Sequence, residues 1–496
     1  GEVGTRIEAS LPVSLLLEGA NTLSVENVGD TGVYSLVFLD RFSVEYPQAS
    51  VAEGGVFEGV WTGSGVAEVT GLAGAPPALL DLTAEGGAAG SAVLRRLGSG
   101  EWLRGMEMTA GGVRFSAQAG HHYLVVSPEG LLRPRIAIPT PSSLKEETNQ
   151  ADFLVIGPQA FLPAAEPLLE RRAGQGLVSR GVSLEEIGAV FGHGQPSAEA
   201  IRDFLSYAYH SWRRPSPRYV LLLGESTYDP QRFLASSHAS PLPALWVKTT
   251  YLWTVSDPTL AAVNGDDLLP DLAIGRLPAT TVEEAAGMVG KVLDWEDTGQ
   301  SLEGQAVFVA DNPDEAGDFE ADAEDLALGP LAGRQSEVLK VSELGPATRA
   351  AILGAFDSGV SLMSYVGHGG TQVWASENVL NSWDVSSLQA QSRQPFMMTM
   401  DCLNGYFVAP NIDALSVAFL KVEGRGVVGS FSPSGLSLDG PAHLLHGALL
   451  TEIASGRHQR LGDAVLAAQK DYIDAGALPE LLSVYHLLGD PTLTLR

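Results

Sequence analysis

Gly359-Val-Ser-Leu-Met-Ser-Tyr-Val-Gly-His-Gly-Gly370 and, further along, Pro395-Phe-Met-Met-Thr-Met-Asp-Cys-Leu-Asn-Gly405 are two apolar runs that each stop at a reactive side chain. Short apolar runs bounded by Gly or Asp read as strands buried on both faces, the pattern of a parallel sheet. In such sheets ligands bind just beyond the carboxyl ends of the strands. The first run ends at His368 and the second at Cys402, so an imidazole and a thiol are expected at one rim. Cys402 is the only cysteine in 496 residues. It therefore has no intrachain disulfide partner and is available as a thiolate nucleophile beside a base. Taken singly, a Cys in an apolar run is an ordinary core residue and a His among glycines an ordinary turn residue. Two such strand ends, with glycines around the His and Asn404-Gly405 behind the Cys, suit a site where substrate backbone must come close.

Working outward, apolar strands alternate with amphipathic helices from Ala151 to the end, which predicts an α/β domain over 151–496 with right-handed crossovers. Strands are expected at Phe153 to Ile156, Tyr219 to Leu223, Asp271 to Ile274, Ala306 to Ala310, Ser361 to Val366, Phe396 to Met400 and Gly426 to Gly429. Helices are expected at Ser197 to Trp212, Thr281 to Trp295, Ala347 to Phe356, Ala414 to Leu420 and Ala442 to Ala454. Residues 1–140 alternate apolar and polar positions between turn residues, as from Asn21 and from Tyr34, which predicts an antiparallel, sandwich-like β region or two small β units meeting near Pro47. The Pro- and Ser-rich stretch that follows, through 141–150, reads as a linker.

Thirty basic against 59 acidic residues give a formal charge of −29. That balance disfavours nucleic acid and anionic membrane surfaces and favours cationic partners or metal ions. No apolar run approaches the length of a membrane span. The segment from Gly54 lacks the spacing of a phosphate-binding loop, so nucleotide binding has no support.

The blocks Tyr365-Val-Gly-His-Gly-Gly370 with Trp374, and Asp401-Cys-Leu-Asn-Gly-Tyr-Phe407, resemble the His and Cys motifs of the gingipain-type cysteine peptidases of the caspase-like clan. Tyr219-Val-Leu-Leu-Leu-Gly-Glu225, Asp271-Leu-Ala-Ile-Gly-Arg276, Phe308-Val-Ala-Asp-Asn312 and Leu488-Gly-Asp-Pro-Thr-Leu493 extend the resemblance in order along the domain. The β region resembles the segment that precedes this peptidase in larger bacterial surface or secreted proteins, including sortase-like members of a secretion system. The resemblance implies a caspase-like fold, a protein or peptide substrate, no cofactor for the chemistry and a secreted or cell-surface location in a bacterium.

It also implies roles. Cys402 attacks the scissile carbonyl, His368 protonates the leaving amine, and the Gly369 N–H, with that of Cys402, forms the oxyanion hole. Glycine suits that place because no Cβ blocks the oxyanion, and one such donor is worth about 3 kcal/mol in the transition state. Asp311, at the end of a strand, is the candidate acid that orients the imidazole, or else a strand-end turn residue or metal ligand. Asp318, Glu320 and Asp322 are candidates to meet an Arg or Lys before the cleaved bond, or else acids that favour a helix N-terminus. Val366 and Met400 match pocket walls, and Ser432 and Ser434 match the segment that closes the pocket.

Asp266, Asp267, Asp271 and Asp314 have the oxygen-rich composition that calcium prefers, without the spacing of a defined calcium loop, so a structural Ca2+ is expected by family analogy or a solvated turn otherwise. His121-His122, His443 and His446 lack an accompanying ligand pattern and read as surface or core residues. The leading expectation is a cysteine endopeptidase. The alternatives are a sortase-like transpeptidase, which uses the same two residues, and a catalytically silent adhesive or structural module.

Overall fold

The computed structural model describes residues 7–17, 19–24, 42–72, 77–81, 101–132, 140–234, 237–265 and 267–495. The chain divides into two compact units, Gly1–Ile138 and Pro139–Arg496.

In the first unit, alternating sequence makes two antiparallel sheets. One orders Val56–Val60, His122–Val126, Ala78–Asp81 and Glu101–Trp102; the other orders Gly65–Thr70, Gly112–Ala117 and Glu107–Thr109. Their inward residues Phe57, Val69, Leu79, Val113, Phe115 and Val125 share one small core. Trp61 meets Phe57, Phe115 and Tyr123 edge to face, the arrangement favoured by ring quadrupoles. The stretches expected as strands from Asn21 and Tyr34 lie in large part outside the described residues.

The second unit is built on a ten-stranded sheet. In chain order its strands are β1 (Phe153–Gly157), β2 (Ser179–Ser183), β3 (Tyr219–Leu223), β4 (Ala273–Leu277), β5 (Ala306–Ala310), β6 (Ser336–Lys340), β7 (Leu362–Val366), β8 (Phe396–Met400), β9 (Gly429–Pro433) and β10 (Tyr485–Leu488). They lie in the order β6-β5-β7-β8-β9-β10-β4-β3-β1-β2. Only the β9–β10 pair is antiparallel. Helices such as Ala198–Ser211, Val282–Asp297 and Leu461–Asp474 cover the sheet, so its inner strands bury all their residues. This is a caspase-like α/β fold.

The stretch 141–150 packs on this unit. Leu144 is fully buried and its carbonyl accepts the Trp212 indole N–H, while Ser142 Oγ donates to Glu186. Among the described residues no helix is long and apolar enough to cross a membrane.

Candidate active site

Strands β7 and β8 are neighbours in register, with Val366 opposite Met400. Two residues beyond each end stand His368 and Cys402, so parallel pairing brings the two to a common level. The Gly367 N–H donates to the Met400 carbonyl and fastens the two exits together. Gly367 is required twice over: its φ is +154°, and a Cβ there would lie 2.2 Å from Asp311 Cβ. After the nucleophile candidate, Leu403 takes φ +64°, an uncommon conformation for a residue with a side chain, held by its N–H to the Gly435 carbonyl.

The two turns are tied to each other. Asn404 is fully buried; its Nδ2 donates to the Gly370 carbonyl and its Oδ1 accepts the Trp374 indole N–H. Trp374 stacks on Tyr365 with ring centroids 4.5 Å apart. The Tyr365 hydroxyl in turn donates to the His368 carbonyl at 2.6 Å. One amide side chain behind Cys402 thereby holds the glycine turn behind His368.

Cys402 and His368 line one cleft, together with Ala316, Phe319, Met400, Ser437 and Asp439. The His368 ring is half exposed, packs edge to face on Phe319 with centroids 5.2 Å apart, and places Nε2 2.8 Å from Asp314 Oδ2. The Ala316 N–H first, and His368 second, hold Asp314 below the usual carboxylate range. The Cys402 thiol is half buried, with Sγ 3.8 Å from the Ser437 carbonyl. Burial pushes this thiol up, so it rests protonated and needs a base at the moment of attack.

The structure sorts the acids expected around the site. Asp311 is buried at the end of β5, but its Oδ2 accepts from the His368 backbone N–H at 3.1 Å, not from the ring. The ring's acid is Asp314, placed above among the metal candidates. Asp318 caps the helix Phe319–Leu328 through the Ala321 N–H. Glu320 turns to Ser342 and Lys340. Asp322, one helical turn after Asp318, faces His443 at 3.3 Å and approaches Asp439, which lines the cleft. Partial burial, then the nearby Asp322 carboxylate, push Asp439 up to about 6. Sequence reasoning missed Asp439 and Ser437. They arrive on a separate segment, where an acid in the first turn of the helix Asp439–Ala454 reads as ordinary dipole stabilisation.

Met400 lines the cleft, whereas Val366 is fully buried in the core behind it. Ser432 lies in an interior hydroxyl cluster with Ser416 and Ser430, and Ser434 bonds to Thr254, the Val255 carbonyl and His486. Neither serine is among the cleft-lining residues. Of the remaining metal candidates, Asp266 lies outside the described residues. Asp267 accepts from the Leu269 N–H, and Asp271 accepts from the Val263 and Asn264 N–H groups at 2.8 Å. These carboxylates are spent on turns and do not converge. Among the described residues no group of three or more His, Cys, Asp or Glu is arranged to hold a metal ion.

A caspase-like sheet carrying a thiol and an imidazole at adjacent strand ends has the architecture of a cysteine peptidase. The sequence profile of Peptidase family C25 matches residues 146–496. The chain belongs to Peptidase family C25 and is gingipain-like. Gingipain R2 of Porphyromonas gingivalis is 22% identical over 289 residues, which are 57% of this chain and 36% of that protein. Gingipain R1 of the same organism is 24% identical over 220 residues, 43% of this chain and 20% of that protein. Among solved structures, the Arg-specific cysteine proteinase gingipain R aligns with a TM-score of 0.58 at 18% identity, covering 71% of this chain and 79% of that one. The complex of Porphyromonas gingivalis RgpB pro- and mature domains aligns with a TM-score of 0.58 at 19% identity, covering 69% and 79%. These likenesses speak for the fold. The chain spans 36% of the length of the first of these curated relatives.

Proposed function

We propose that this chain is an extracellular cysteine endopeptidase that cleaves after Arg or Lys through a thioester acyl-enzyme. The observation that carries the reading is the equal placement of His368 and Cys402 beyond paired strands, on one cleft. His368 takes the thiol proton as Sγ attacks the scissile carbonyl carbon. The carbonyl oxygen becomes an oxyanion facing the N–H groups of Gly369 and Cys402. Collapse of the tetrahedral intermediate breaks the C–N bond, and the imidazolium gives its proton to the leaving amine. Water then hydrolyses the thioester, again with His368 as base. Asp314 holds the ring at Nε2, and Asp311 fixes the backbone that carries it.

The carboxyl pair Asp322–Asp439 supports the basic-residue preference. It sets a second acid behind Asp439, which lines the cleft where a guanidinium or ammonium can approach, and the net charge of −29 favours cationic substrates in the same sense. Extracellular location rests on likeness to the gingipains. The test is cleavage of peptides with Arg, Lys or a neutral residue before the scissile bond, with wild type and Cys402→Ala side by side. Cleavage after basic residues that disappears in the variant is expected. Cleavage that persists in Cys402→Ala would remove the nucleophile. Transfer of the acyl group to an added amine, in preference to water, would replace hydrolysis by transpeptidation.

A further inference from the structure

The peptidase reading leaves unused the acid next to the nucleophile. Asp401 lines the same cleft as Cys402 and His368, yet it is only 3% exposed. Neither of its carboxyl oxygens makes a hydrogen bond of good geometry among the described residues, although the Thr399 side chain is near enough to favour its charged form. A sealed carboxyl without a partner is costly, and sites of that kind cluster where function demands them. Asp257 and Asp490, also buried in this unit, are each met by an arginine, and Asp311, as buried as Asp401, accepts from the backbone N–H groups of Asn312 and His368.

What Asp401 touches is the glycine of the oxyanion site. A Cβ on Gly369 would lie 2.1 Å from Asp401 Oδ2 and 2.7 Å from its Cγ. Gly369 is outside the left-handed region, so its backbone conformation suits any residue. Glycine is needed there for space, and Asp401 fills that space. The next residue, Gly370, is held by Asn404 from the far side of Cys402. The turn carrying the proposed oxyanion donor is thus gripped at two successive residues by the two neighbours of the nucleophile's strand exit.

We propose that Asp401 is a positioning residue for acylation: its sealed carboxyl packs behind Gly369 and fixes the His368–Gly370 turn against the Cys402 exit, so that the Gly369 and Cys402 N–H groups face one oxyanion. This rests on the peptidase reading above. The groups facing Asp401 are the Thr399 hydroxyl, Tyr365, Tyr485 and the Cys402 thiol. No cation is among them, and burial raises the carboxyl well above the usual range. The neutral acid is the form that fits. An ionised Asp401 sets a negative charge beside both the forming thiolate and the forming oxyanion, and draws the carboxyl towards water. The sign follows: the acid is neutral at low pH and ionised at high pH, so acylation slows as pH rises through its ionisation. Neutral carboxyls kept protonated by apolar surroundings serve oxyanion sites elsewhere.

The test is a cycle of variants in the full chain, read by kcat and KM on the peptides cleaved by wild type. Asp401→Ala is expected to lower kcat about tenfold with KM within about twofold, the pattern of an interaction expressed in the transition state. Gly369→Ala is expected to cost about 30-fold or more beside Asp401, but less than about threefold in the Asp401→Ala background, because contacting residues fail to add. Asp401→Asn, which keeps the size and cannot ionise, is expected to lose the fall in kcat that wild type shows at alkaline pH. A merely structural role leaves that profile unmoved, and this variant decides the matter if Gly369→Ala does not fold. Equal costs for Gly369→Ala in both backgrounds, or an Asp401→Asn profile that follows wild type, overturn the positioning role and leave the peptidase reading intact. A wild type that cleaves nothing, or cleavage by Cys402→Ala, overturns both.

Discussion

Two groups of buried aspartates on either side of the ten-stranded sheet are held in different ways. In the half built from β10, β4, β3, β1 and β2, acids are met by cations. Asp257 is held by both arms of Arg276 at 2.7 Å, and the guanidinium lies over the Phe407 ring at 4.6 Å. Arg172 joins Asp490 at 2.6 Å and Glu296 at 2.7 Å. Burial opposes ionisation of Asp257, but Arg276 more than offsets it and holds the carboxyl well below the usual range. In the half built from β5, β7 and β8, Asp311, Asp401 and Asp439 meet no Lys or Arg among the described residues, and burial is the leading cause that pushes each of them up. The first arrangement closes its charges on themselves and holds the fold. The second leaves carboxyls without a cation around a thiol and an imidazole, an arrangement common at reactive sites.

The largest expected effect separates the halves outright. Cys402→Ala removes the nucleophile and should lower peptide turnover by at least about 10⁴-fold while leaving the urea midpoint unchanged, measured by cleavage assay and unfolding curve. Arg276→Met should do the reverse. Leaving Asp257 buried without its cation should cost about 3–5 kcal/mol in urea unfolding, with kcat of the folded fraction preserved. Because Asp257 is depressed in the folded state, its contribution is present above about pH 4 and should fade only as pH falls through its lowered folded value.

These expectations rest on a fold whose centre was legible and whose edges were not. β1, β3 and β5 are unbroken apolar runs, and β7 and β8 nearly so, broken only by Ser364 and Thr399, because both faces are covered; all five lie within a residue of where the sequence placed them. β2, Ser-Arg-Gly-Val-Ser, and β6, Ser-Glu-Val-Leu-Lys, are the two outer strands, partly exposed, and carry no such run. β4 runs on to Leu277 past the strand expected at Asp271 to Ile274, because Arg276 is buried by its pair with Asp257 and its charge disguises a core position. β9 lies later than Gly426 to Gly429 for a related reason: Ser430 and Ser432 satisfy each other in an interior hydroxyl cluster, so polar letters hide a strand. At the site, the rim positions of His368 and Cys402 follow from strand ends and were legible. Asp439 was not, because its place opposite Asp322 depends on how two helices distant in sequence meet.

Smaller effects test how the acids around the cleft divide the work. Asp439→Asn should weaken kcat/KM for Arg and Lys peptides by about 10- to 100-fold, the worth of one charge-assisted contact, and leave neutral peptides little changed. In wild type, Asp439 is neutral below about 6 and ionised above it, so preference for basic over neutral peptides should sharpen as pH rises from 5 to 7. Equal preference across that range would detach the pair from substrate. Asp314→Asn should lower kcat only several-fold, since its ion pair with His368 is half exposed. Asp401→Asn should raise the urea midpoint at pH 8 more than at pH 4.5. An acid raised in the folded state costs stability once pH exceeds its unfolded value of about 4.

The most direct measurement is labelling with a peptidyl acyloxymethyl ketone ending in Arg, in which a thiolate displaces the carboxylate and leaves a stable thioether. Tryptic mass spectrometry is expected to find one adduct, on Cys402, formed by wild type and slowed in His368→Ala. An enzyme that cleaves Arg peptides while Cys402 stays unlabelled, or an adduct on any other residue, would contradict the shared thiol and imidazole cleft.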